Sequence, residues 1–146
     1  MVEQARRWPE NLGVGKPYDV DERLEDYLEA VCRENTGDTR RARDAYERAA
    51  QQGNGGAYSL LSATALRNIG KSDEAAKRIA QSFAADKQGK GSRWYLSVFE
   101  GDRKERRQLE NEFETARRDG QWNPVPSDPS FLLVYETIKV LDPLTK

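Results

Sequence analysis

Apolar residues recur along this chain with a helical period, and the helices so marked recur with a longer one. In RLEDYLEAVC, Leu24, Tyr27, Leu28 and Val31 stand at i, i+3, i+4 and i+7, one face of a helix. Three segments then align with one another: YLEAVCRENTGDTRRARDAYERAA, LLSATALRNIGKSDEAAKRIAQS and WYLSVFEGDRKERRQLENEFETA. Tyr27, Leu60 and Trp94 fall 33 and then 34 residues apart, as do the small residues Ala30, Ala63 and Ser97. The triads Ala42/Tyr46/Ala49, Ala75/Ile79/Ser82 and Leu109/Phe113/Ala116 step by the same amounts. Gly37 and Gly70 keep the period, whereas the third glycine comes early, at Gly101.

Each segment reads as two helices about a short turn. Asp38 and Ser72 can cap the second helix of the first two units, and Asp102 followed three residues later by Glu105 has the form of a capping box. Glycine and proline clusters, QQGNGG, DKQGKG and DGQWNPVPSDP, mark the connections. The pattern predicts three hairpins over about residues 23–54, 56–88 and 91–119. Residues 1–22 supply the end of an earlier helix, closed by Pro9, and a linker. Residues 121–146 supply a Pro-rich loop and a capping helix. That helix starts at Pro129 and carries Phe131, Tyr135, Ile138 and Leu141 along one face; its β-branched content leaves a strand as the alternative. The polar start suggests a piece of a larger protein.

The spacing resembles that of the tetratricopeptide repeat family, whose 34-residue unit places A-x₃-F in its second helix after a turn glycine. Ala42 with Tyr46 and Ala75 with Ile79 carry that spacing, and Leu109 with Phe113 is a looser copy. The consensus proline after the second helix is missing from the first two units, and Lys104 stands where the third should have glycine. The likeness covers about residues 23–120 and implies an all-α, right-handed superhelix of about three helical hairpins. It also implies a concave groove lined by the first helices, here Tyr27, Val31, Tyr58, Leu60, Thr64, Trp94 and Tyr95. The lysine, asparagine and arginine clamp that family members use on chaperone tails is absent from those positions. An aromatic stripe there could grip a peptide, or could simply pack between helices.

Composition narrows the function. With 36% hydrophobic and 34% charged residues, the core must be thin and spread along the chain. Stacked hairpins achieve that, because each buries its apolar face on its neighbour. Lys and Arg (24) nearly balance Asp and Glu (25), which disfavours a partner that is nucleic acid. No apolar run approaches the roughly 20 residues that span a bilayer, so no membrane partner is expected. The lone cysteine, Cys32, reads as a small buried hydrophobe and points to a reducing, cytoplasmic compartment.

Chemistry is scarce. There is no histidine, so the commonest base and metal ligand is missing, and neither catalysis, cofactor nor metal is expected. Gly-Val-Gly-Lys at 13–16 looks like a phosphate loop, but Glu10 replaces its first glycine and Pro17 its hydroxyl, so it reads as a linker. Arg106–Glu110 and Glu114–Arg118 have i, i+4 spacing and read as solvated pairs. Trp8 and Trp122 read as plugs that fix their loops to a helix pair. The chain is thus expected to be a non-catalytic scaffold binding another protein or a domain of its own parent. An accessory C-terminal domain of a larger bacterial enzyme or carbohydrate-handling protein is the alternative, and an RNA-binding repeat a weaker one.

Overall fold

Short helices this polar hold together only where turns and neighbours fix them, and the structure shows both. The computed structural model describes residues 21–51, 56–120, 128–142 and 144. The expectations for the helix end before Pro9, the Gly-Lys loop, Trp8 and Trp122 lie outside the described residues. All regular structure among the described residues is helical. The helices are α1 (Arg23–Asn35), α2 (Thr39–Ala49), α3 (Tyr58–Asn68), α4 (Ser72–Ser82), α5 (Lys90–Glu100), α6 (Arg103–Arg118) and α7 (Pro129–Leu141), with a 3-10 turn at Ala84–Asp86 before α5. Residues 129–141 therefore form a helix and not the alternative strand.

Helices pair as α1/α2, α3/α4 and α5/α6, and the packing of adjacent helices is consistent with a helical repeat. The three hairpin turns share one hydrogen-bond pattern. The Gly37 N–H reaches the Glu34 carbonyl (3.0 Å) and the Asp38 N–H the Arg33 carbonyl (2.9 Å). The same two bonds join Gly70 to Arg67 and Lys71 to Leu66, and again Gly101 to Val98 and Asp102 to Ser97. This Schellman closure needs a left-handed residue past the helix end, and glycine supplies it, with φ of 79°, 86° and 77° at the three turns. Counting from those turns shifts the third unit. Arg106 stands five residues after its glycine, as Ala42 and Ala75 do, and all three are buried.

Capping follows expectation in part. Asp38 accepts from the Arg41 N–H (3.3 Å), and Asp102 accepts from the Lys104 and Glu105 N–H groups (3.1 and 3.0 Å). The Glu105 side chain does not close the box; it turns to Arg93 on α5, where a full charge outweighs a backbone N–H. Ser72 is the first residue inside α4 and caps nothing, since the residue before the helix is Lys71.

Small residues let the hairpins close on one another. Ala30, Ala63 and Ala65 are fully buried and Ser97 nearly so. α3 packs against both α1 and α5. Polar threads cross the same seams: the Arg78 guanidinium donates to the Ala50 carbonyl, and Arg67 donates to the Phe99 carbonyl (2.6 Å) while lying over the Phe99 ring. Within the first hairpin, Arg48 ties Asp26 and Glu29 together (2.8 Å each). Cys32 is exposed, contrary to expectation. It lies five residues past Tyr27, a turn and a half round the helix, and so falls outside the buried face.

Candidate interaction surface

The C-terminal helix decides which surfaces are open. Asp128 caps α7, its carboxylate accepting from the N–H (2.9 Å) and hydroxyl (2.6 Å) of Ser130, and Pro129 enters the first turn with its fixed φ. Phe131, Val134, Tyr135 and Ile138 then form a buried stripe. That stripe packs against α5 and α6, and α7 also meets α3; Thr137, Val140 and Leu141 of the same helix border a hollow with Leu28 of α1.

An aromatic cluster holds it there. Trp94 meets Phe131 edge-on (centroids 5.5 Å apart) and Tyr135 at 5.2 Å. Tyr95 meets Phe131 at 5.5 Å, and Phe113 meets both rings of α7. Such edge-to-face contacts set the positive rim of one ring against the negative face of another. Burial, followed by the charge and hydrogen bond of Glu114, pushes the Tyr135 phenol far above its ordinary range. The Tyr95 phenol is likewise raised, first by burial and then by the Asp128 carboxylate.

Ion pairs fix the helix lengthwise. Glu114 accepts from the Lys139 ammonium (2.6 Å) and the Tyr135 hydroxyl (3.0 Å), and the lysine bond first of all holds its carboxyl below the usual range. Arg117 pairs with Glu136 at 2.7 Å. At the C-terminus, Arg106 donates to the Asp142 carboxylate (2.6 Å) and the Asp142 carbonyl (2.8 Å), and its Nε to Glu110 (2.7 Å). Glu110 also accepts from the Trp94 indole N–H (3.2 Å). Arg106 and Glu110 are thus an interior bridge and not the solvated pair that their spacing suggests. Glu114 turns to α7 in place of Arg118. Only the fold brings Lys139 and Asp142 within reach, and no local spacing announces them.

The residues expected along the groove divide accordingly. Tyr27, Leu60, Trp94 and Tyr95 are buried in the core, so their side chains offer no open face to a separate ligand. Trp94 and Tyr95 are covered by α7 itself, while Tyr27 packs edge-on against Tyr46 at 5.9 Å. Burial drives the Tyr27 phenol up to about 12. Val31, Tyr58 and Thr64 are half-buried. Tyr58 lies under the Arg23 guanidinium, and the Thr64 hydroxyl bonds back to the Leu60 carbonyl (2.9 Å).

The open apolar surface lies elsewhere. α7 carries two charged residues, Glu136 and Lys139, and both are drawn aside to α6. Its outer stripe is left bare: Val140 is 79% exposed, Leu133 48% and Leu141 36%. The Thr137 hydroxyl donates back to the Leu133 carbonyl (2.8 Å), so its donor is spent within the helix. Leu28, Glu136, Thr137, Val140 and Leu141 surround a shallow, mostly apolar hollow of about 300 Å³. A sequence signal for this stripe exists. A helix that is apolar on nearly every side has more than one face to cover.

The described residues contain no group of three or more His, Cys, Asp or Glu side chains that could hold a metal ion, and no helix long and apolar enough to cross a membrane. The chain matches no family model, no curated protein and no solved structure.

Proposed function

We propose that this chain is a non-catalytic helical-repeat module that holds a protein partner, either a separate chain or a neighbouring domain of a larger parent. One observation carries the reading: the outer face of α7 is apolar and open while its inner face is fully packed. Exposed aliphatic side chains gathered around a hollow are unfavourable in water and favourable under a partner. The inner face supports the same reading, since it already receives one amphipathic helix through aromatic anchors and flanking ion pairs, a recurrent mode of helix recognition. Recognition by this module therefore takes place on the α7–α1 edge, at Leu28, Leu133, Val140 and Leu141, and not among the aromatics of the filled face.

The test is a comparison of the intact protein with Val140→Asp and Leu133→Lys, captured with their bound proteins from cells that produce the chain naturally. Hydrogen exchange on α7 is followed in parallel. A partner retained by the parent protein, lost by both variants and protecting α7 supports the reading. Identical profiles for all three proteins refute it.

A further inference from the structure

We draw no further inference here: the strongest candidate, the exposed apolar stripe of α7 at Leu133, Val140 and Leu141 beside the hollow bordered by Leu28, belongs to the surface already described, and nothing in the structure shows what covers it.

Discussion

Arg106 shows how much one residue can organise in so thin a core. Its side chain is 3% exposed, and its donors join Glu110 on its own helix to the Asp142 carboxylate and carbonyl at the end of α7. In the first two hairpins the corresponding turn-counted positions hold Ala42 and Ala75, which merely allow close approach. The third hairpin spends that slot on a fork that can satisfy three acceptors at once. Replacing Arg106 with Ala leaves the Glu110 carboxylate short of its charge partner in a mostly buried place. The expected cost is about 2–4 kcal/mol, toward the lower end of broken buried pairs because Asp142 keeps its access to water. Arg106→Lys should recover less than half of that, since an ammonium cannot span the same planar set of acceptors. Urea unfolding of the three proteins measures both values. A loss under 0.5 kcal/mol for the alanine variant, the order of a surface change, would mean that the bridge contributes little.

At the scale of the elements, the hairpins could be read from the sequence and the placing of α7 could not. The 33-residue step from Tyr27 to Leu60 and from Ala42 to Ala75 is legible because all four residues are buried, so the periodic positions are core positions. The turn glycines stand out because only glycine takes positive φ cheaply. Gly101→Ala meets no atom within 4 Å, so its cost should be backbone strain alone, about 1–2 kcal/mol by thermal unfolding, and Gly37→Ala should match it. A larger loss at only one of them would show that the turns are not equivalent. α7 differs because a periodic stripe tells that one face is buried but not against what. The partners that dock it, Glu114 for Lys139 and Arg117 for Glu136, lie 25 and 19 residues away. The i, i+4 spacing pairs Glu114 with Arg118, but Lys139 and Tyr135 draw the carboxylate away with two donors from one packed helix. The depressed Glu114 carboxyl has a consequence for pH. A group whose folded value lies below its unfolded one stabilises the fold above the unfolded value, about 4.3 for glutamate, and loses that effect as pH falls through the folded value. Glu114→Gln should therefore melt below the parent protein at pH 7, with the gap narrowing below about pH 4. A gap that stays constant with pH would assign the loss to packing instead.

Across the whole molecule, the interior is a continuous set of apolar contacts from Leu24 on α1 to Ile138 on α7, joined by phenol rings from four different helices. Tyr27, Tyr46, Tyr95 and Tyr135 are all buried, and burial is the leading cause that raises each of them. Two of these phenols donate to carboxylates, Tyr46 to Glu34 (2.8 Å) and Tyr135 to Glu114 (3.0 Å), and a bond of that kind also favours the protonated ring. The sign follows directly. An acid whose folded value is raised adds stability in full below its unfolded value, near 10 for tyrosine, and that stability drains away as pH rises toward the folded value. Two alkaline titrations followed by phenolate absorbance, one without and one with urea, should differ. In the folded protein these four rings ionise later than the half-buried Tyr58, which burial raises too but which is the least buried of the described tyrosines. In concentrated urea all of them ionise together near pH 10. Because the four rings come from α1, α2, α5 and α7, a late and cooperative rise would place the first hairpin, the third hairpin and α7 in one unfolding unit. Early ionisation of Tyr95 and Tyr135 alone would mean that α7 lifts away from the array before the first hairpin opens, and the array would then behave as two units.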